Sequence, residues 1–235
     1  MLTNISRTID PEFLDSDGFA TVPSIYNIII NSIGINIRQS GYGIDVMADR
    51  GYTWALARCG MEFLERPTLY RDISVDVWGS PSQGLCHNRS FSVTDSEGRD
   101  ICRGVTEWCI LDKSSRRPVL MDMNGDDNDR EQPCSLPRRI RGFLLENVVE
   151  RITGYSECDF NGHLNNSKYV EMFFDLLPRQ IASSLRPLRL DVNFRREVPC
   201  GAMTRQGIRM EEDGRFAFSM YCADQLACCA SLAMI

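Results

Sequence analysis

Lysine is nearly absent from this chain of 235 residues: Lys113 and Lys168 are the only two, so a lysine Schiff base has few candidates. Histidine is as scarce, and any step that needs an imidazole must use His87 or His163. No apolar run is long enough to cross a bilayer, so no membrane span is expected. The opening "MLTNISRTID" has no basic start, apolar core or small-residue cleavage site of a secretory leader, which points to the cytoplasm. No C-x-x-C pair occurs, so no metal site is expected. The ten cysteines are scattered, Cys228 and Cys229 are adjacent, and Cys59, Cys102, Cys109 and Cys222 fall in strand-like runs, where a free thiol behaves as a small buried hydrophobe. A disulfide framework is therefore not expected either. A formal charge of −6 argues against general nucleic-acid binding, which depends on cations that neutralise phosphates.

What is present is a polar cluster in front of an apolar stripe, "CDFNGHLNNSKYVEMFFDLL", residues 158 to 177. Tyr169, Met172, Phe173, Leu176 and Leu177 recur at the spacing of a helix that buries one face, and Pro178 fits its end. Near the N-terminus "DSDGFATVPSIYNIIINSI" repeats the layout. A slide of 144 residues lays Asp15 on Asp159, Gly18 on Gly162, and Ile25, Ile28, Ile29 and Ile33 on Tyr169, Met172, Phe173 and Leu177. Each helix is followed by β-rich runs and a hairpin, turning at Glu97-Gly98 in one half and Asp213-Gly214 in the other. One helix and an antiparallel meander, occurring twice, is an α+β fold. The acidic, proline-containing stretch 122–137 reads as the linker between residues 1–121 and 138–235.

Asparagine and serine before a helix are ordinary caps, and Asn165, Asn166 or Ser167 can serve in that way without further meaning. Capping does not account for Asp159, Asn161 and His163 at alternate positions, where an extended approach to the helix would point all three side chains the same way. That set suits acyl chemistry. A thioester carbonyl at the helix start would meet free backbone N–H groups and the positive end of the helix dipole, beside an imidazole and a carboxylate able to handle protons.

The motif "DFNGHLNNSKYVEMFFDLLP" resembles the D-x-N-x-H-x-N-N-x-x-Y signature of the acyl-acyl-carrier-protein thioesterases, bacterial relatives of the plant fatty acyl thioesterases. "WALARCGMEFLERP", "VDVWG", "NRSFSVTD" and "WCILDKSSRRPVLM" resemble that family's first domain, and "VNFRREV" its second-domain strand with an essential glutamate. The resemblance implies two tandem hotdog domains, each a long helix wrapped by an antiparallel sheet. It assigns Asp159, Asn161, His163 and Glu197 to catalysis, leaving open whether Glu197 or Asp159 is the base. Val198 stands where the plant enzymes carry a cysteine, which favours an activated water over a cysteine nucleophile; Cys200, two residues out of register, reads as structural. Asp17 and Phe19 replace Asn161 and His163 in the first half, which should be catalytically silent and shape the acyl-chain pocket.

The implied partner is an acyl carrier protein bearing an acyl-phosphopantetheine arm, received by local arginines such as Arg138, Arg139, Arg141, Arg195 and Arg196. No cofactor is implied, and the tandem arrangement is compatible with a monomer or a homodimer. An acyl-CoA thioesterase and a non-catalytic acyl-binding module are the alternatives. A hotdog hydratase fits less well, because His163 follows the acid by four positions with no proline between them. His87 and the three tryptophans read as packing residues, the indoles with polar partners.

Overall fold

The computed structural model describes residues 1–82, 84–123 and 130–235, which divide into two compact units, Met1–Pro137 and Arg138–Ile235. Residues 124–129 of the expected linker lie outside the described residues. On either side of them, Met123 is buried with Met47 and Ile110, and the Arg130 guanidinium lies 5.4 Å over the Trp78 ring. Both flanks thus group with the first unit.

The first unit comprises β1 (Leu2–Thr8), α1 (Val22–Ile37), α2 (Ile44–Asp49), β2 (Tyr52–Phe63), β3 (Asp72–Ser80), β4 (Cys86–Asp95), β5 (Asp100–Asp112) and the short β6 (Pro118–Val119). Its strands pair antiparallel in the order β1-β3-β4-β5-β2, with β6 on the end of β5. The second unit comprises β7 (Val149–Ile152), α3 (Asn166–Leu176), α4 (Arg179–Ala182), β8 (Leu188–Phe194), β9 (Met203–Met210), β10 (Phe216–Cys222) and β11 (Gln225–Met234). Its order is β7-β9-β10-β11-β8. Strand for strand the two orders are the same, so the sequence repeat is also a repeat of topology.

Local chemistry explains the element ends. The Thr21 side chain accepts the Ser24 N–H at 3.1 Å and starts α1, with Pro23 in the first turn, where its missing N–H costs nothing. Ile25, Ile29 and Ile33 recur on one face of α1 and are fully buried. These isoleucines are packing residues. The β4–β5 hairpin closes where Asp95 accepts the N–H groups of Glu97 and Arg99, both at 2.9 Å, and Gly98 takes φ +79°. Two indoles find the expected polar partner: Trp54 donates to the Tyr42 carbonyl and Trp108 to the Thr106 hydroxyl, both at 2.9 Å. The Trp78 N–H, buried, has no partner among the described residues.

Strand β8 is buried along nearly its whole length yet carries Arg189, Asp191 and Asn193. Each is satisfied. Asp191 accepts the Arg138 N–H at 2.9 Å and pairs with Arg189, while Asn193 accepts the Ile140 N–H at 2.9 Å and donates to the Arg138 carbonyl at 2.8 Å. Residues 138–140 are thus held to β8 by side chains acting as a substitute strand edge, and Phe143 is held to β10 by Ser219 and Tyr221.

In the second unit Tyr169 meets Phe194 edge-on at 5.4 Å, and Phe173 stacks on Phe218 of β10 at 5.3 Å. Phe173 is fully buried. Phe173→Ala should cost about 3–5 kcal/mol, read as a lower urea midpoint, because it deletes both the burial and the ring contact. A loss under about 1 kcal/mol would mean that α3 is not anchored there.

Candidate active site

Residues 158–164 do not run straight into α3. Cys158 and Leu164 pair as an antiparallel bridge, and between them the chain reverses. The Asp159 N–H donates to the His163 carbonyl at 2.7 Å, the Gly162 N–H donates to the Asp159 carbonyl at 3.0 Å, and Gly162 adopts φ +76°. Asp159 Oδ1 accepts the N–H groups of Asn161 at 2.8 Å and His163 at 3.2 Å. The extended approach expected from alternating polar residues is therefore wrong. An aspartate that can satisfy two backbone donors and a glycine free to take positive φ make a tight turn instead. Asn161 stands exposed on this turn.

The start of α3 is also less open than expected. Asn165 Oδ1 accepts the Ser167 N–H and hydroxyl, both at 3.0 Å, and the Asn165 carbonyl accepts the Lys168 N–H at 3.0 Å. Capping is thus the role of Asn165, and two of the donors at the helix start are already engaged.

A second segment, residues 195–202 after β8, lies against the turn. Leu164 N–H donates to the Val198 carbonyl at 2.8 Å, Cys200 N–H to the Gly162 carbonyl at 2.9 Å, and Gly201 N–H to the Thr153 carbonyl at 3.1 Å. These bonds bring Glu197 Oε1 to 3.7 Å from His163 Nδ1. That is longer than a hydrogen bond but within ion-pair reach, and catalytic contacts commonly tighten only around substrate. With the His163 side chain 28% and the Glu197 side chain 44% exposed, both are open to an incoming molecule. Burial pushes the Tyr169 phenol well above its usual pKa, against a hydrogen bond with the Val198 backbone that ties α3 to the same segment.

Cys158 and Cys200 form a disulfide across the two segments, with their Cα atoms 5.9 Å apart. The expectation of free thiols fails at this pair, because their pairing depends on how a turn and a distant loop meet, which spacing does not reveal. His87, by contrast, is half-buried and edge-on to Trp54 at 5.7 Å, as a packing residue would be.

The first unit contains the same construction with different chemistry. Asp15 N–H donates to the Phe19 carbonyl at 2.9 Å, and Gly18 at φ +83° donates to the Asp15 carbonyl at 3.1 Å. Asp15 Oδ1 accepts the N–H groups of Asp17 at 2.9 Å and Phe19 at 3.2 Å. Ala20 N–H donates to the Pro67 carbonyl at 2.8 Å, as Leu164 does to Val198. This register places Arg66 where Glu197 stands and Phe19 where His163 stands. Arg66 pairs with the Asp15 carboxylate, donates to the Ala20 carbonyl at 2.8 Å, and lies 6.0 Å over the Phe19 ring. Leu14 and Leu69 occupy the two disulfide positions. Since Asp15 and Asp159 make the same turn, and only one turn faces a carboxylate–imidazole pair, the role the aspartates share is conformational.

A cavity of about 530 Å³ in the first unit has a mixed lining, with Ser80, Ser82, His87 and Arg89 beside Leu120, Met121 and Met123. Among the described residues no group of three or more His, Cys, Asp or Glu side chains is placed to hold a metal ion.

Comparison with known proteins matches two family models in tandem: "Acyl-ACP thioesterase N-terminal domain" over residues 8–124 and "Acyl-ACP thioesterase C-terminal domain" over residues 148–219. The chain belongs to the acyl-ACP thioesterase family. Among solved structures, this family member superposes on an acyl-ACP thioesterase from Bacteroides thetaiotaomicron with a TM-score of 0.90 at 23% identity, covering 100% of this chain and 98% of that one. The 12:0-ACP thioesterase from Umbellularia californica gives 0.85 at 17% identity, over 100% and 97%. The fold is therefore the expected pair of hotdog domains. A chloroplastic palmitoyl-acyl carrier protein thioesterase from Gossypium hirsutum is 27% identical over 168 residues, 66% of this chain and 40% of the relative. The chain spans about half the length of the curated relatives it matches.

Burial alone would raise the Asp15 carboxyl, but hydrogen bonds from Arg66 and the Phe19 and Asp17 N–H groups, with the guanidinium charge, outweigh it and hold the group below the usual aspartate range. The folded value is the lower one, so the stabilisation is complete above about pH 4 and fades as pH falls through that value. Asp15→Asn should lower the urea midpoint at neutral pH, and the gap to the parent should narrow toward about pH 3. A gap that stays constant with pH would assign the whole effect to the shape of the turn.

Proposed function

We propose that the chain hydrolyses the thioester of fatty acyl-acyl carrier protein and releases free fatty acid. The observation that carries this reading is the Glu197–His163 pair, 3.7 Å apart beside the start of α3, in one unit and not in its copy. Glu197 takes a proton from a water molecule as its oxygen adds to the thioester carbon. Asp159 has one carboxylate oxygen committed to the turn and acts as a positioning residue, which makes Glu197 the better base. The negative charge on the former carbonyl oxygen is met by the positive end of α3, the Asn166 N–H and the Asn161 amide. When that intermediate collapses, the carbon–sulfur bond breaks, and the proton held by Glu197 passes through His163 to the departing phosphopantetheine thiolate. Fatty acid and thiol are the products, and water is the only co-reactant.

In this reading the first unit contributes the acyl-chain pocket, and because the α1 isoleucines are packed, its walls must come from other elements. The protein works in the cytoplasm, ending chain growth in fatty acid biosynthesis. The carrier docks on the second unit, where Arg138, Arg139, Arg141, Arg195 and Arg196 are all exposed. Arg195 donates to the Ile140 carbonyl at 2.9 Å, which brings the two arginine-bearing segments side by side, next to Glu197. A small acidic carrier suits such a patch even on a chain of net negative charge.

Release of fatty acid from acyl-carrier and acyl-CoA thioesters tests the chemistry. Glu197→Gln and His163→Ala should each lower kcat by about 10²–10⁴-fold, the usual worth of a positioned acid or base. Asp159→Asn, which keeps an oxygen for the two turn donors, should lose less. Full activity in Glu197→Gln would hand the base to Asp159, and a parent inert on every thioester would favour an acyl-binding module. Docking is tested by Arg139→Glu with Arg141→Glu, expected to raise KM for the carrier-bound substrate about tenfold while sparing short acyl-CoA. Equal losses on both substrates would remove the patch from recognition.

A further inference from the structure

The Cys158–Cys200 disulfide joins the two segments that carry the reacting groups. Cys158 immediately precedes Asp159 on the turn that ends in His163, and Cys200 lies three residues beyond Glu197. The bond therefore spans the junction that sets the distance between imidazole and carboxylate. Nothing in the fold requires a covalent link at this place. In the first unit Leu14 and Leu69 hold the same two positions, and there the junction keeps its backbone bonds, Ala20 to Pro67 and Tyr70 to Ile9, both at 2.8 Å. The link occurs only in the unit that carries Glu197 and His163. Cys200 is exposed, whereas Cys158, Cys86, Cys109, Cys134 and Cys222 are half-buried and Cys59, Cys102, Cys228 and Cys229 are buried. A disulfide in a reducing cytoplasm is uncommon, and those found there are mostly catalytic or redox-sensing.

We propose that the Cys158–Cys200 bond is a reversible redox clamp on the active site, which when closed holds Glu197 against His163 and when opened by a dithiol reductant slows hydrolysis. The proposal rests on the hydrolase reading above. One thiolate of the reductant attacks Sγ of the exposed Cys200 and expels the Cys158 thiolate, forming a mixed disulfide. The second reductant thiol then displaces Cys200. Two electrons and two protons pass to the protein, giving two cysteine thiols and an oxidised reductant; a small disulfide such as oxidised glutathione reverses the exchange. Once the bond is open, the junction is held by its backbone hydrogen bonds and by the Thr153 hydroxyl, which donates to the Pro199 carbonyl at 3.0 Å. A catalytic group displaced by about 1 Å can lose up to about 10²-fold in rate, so modest loosening is enough to register.

The test compares the oxidised protein with the same protein reduced by dithiothreitol, the state of residues 158 and 200 being read by alkylation and mass spectrometry. Fatty-acid release is followed by mass spectrometry, since a thiol assay would detect the reductant. Amide hydrogen exchange at Leu164, Cys200 and Gly201 reports the junction without any need for activity. Reduction should speed exchange at these amides and lower kcat about tenfold with KM unchanged, and oxidised glutathione should restore both. The double variant Cys158→Leu with Cys200→Leu, which copies the first unit's residues, should lose the response to dithiothreitol. Unchanged exchange on reduction would overturn the clamp, and faster exchange with unchanged kcat would overturn its control of the chemistry. A full response in the double leucine variant would assign the effect to another cysteine and overturn the proposal as well. An oxidised protein inert on all thioesters would instead refute the hydrolase reading and with it the proposed control of hydrolysis, while exchange would still show whether the bond clamps the junction.

Discussion

The N–H of Leu164 reaching the carbonyl of Val198, and that of Cys200 reaching Gly162, join a turn before α3 to a loop after β8, and the position of each polar group in the site follows from that junction. Two backbone bonds fix only a register. Register is enough here, because it decides which side chain of the loop faces which side chain of the turn. In the second unit it sets Glu197 opposite His163. In the first, the same register sets Arg66 opposite Phe19.

The turn itself is built from the shortest-range interactions in the molecule. An aspartate carboxylate accepts two N–H groups from residues two and four positions on, and a glycine takes the left-handed conformation that closes the loop. Its occurrence in both units shows that it does not need an imidazole, a disulfide or a glutamate in order to form. His163 and Glu197 therefore stand on a frame that forms without them. What the frame presents then differs between the units, a carboxylate–imidazole pair in one and a guanidinium over a phenyl ring in the other.

Much of this was legible in the sequence. The helical stripe at Tyr169, Met172 and Phe173, the hairpin glycines and the repeat of Asp15 and Gly18 at Asp159 and Gly162 carry their signal within a few residues, and each marks what it was read to mark. Four features were not legible. Alternation of Asp159, Asn161 and His163 was read by its period of two, but the turn-forming preference of Asp and Gly overrides periodicity over so short a span. The correspondence of Arg66 with Glu197 was hidden because the offset between the halves falls from 144 before the helix to 131 after it, the first unit having a longer helical region. The Cys158–Cys200 bond and the buried Asp191 and Asn193 of β8 depend on contacts between distant segments, for which local pattern holds no record.

Arg66 has a consequence for the history of the fold. Its guanidinium neutralises Asp15 and covers Phe19, so a lone change to glutamate would set two carboxylates together with no imidazole to separate them. A lone histidine at position 19 would instead put a second cation, once protonated, beside the first. Each single step from Arg66 and Phe19 toward a glutamate–histidine pair crosses unfavourable ground, so the arrangement behaves as a ratchet: the pair is reached only by both substitutions at once.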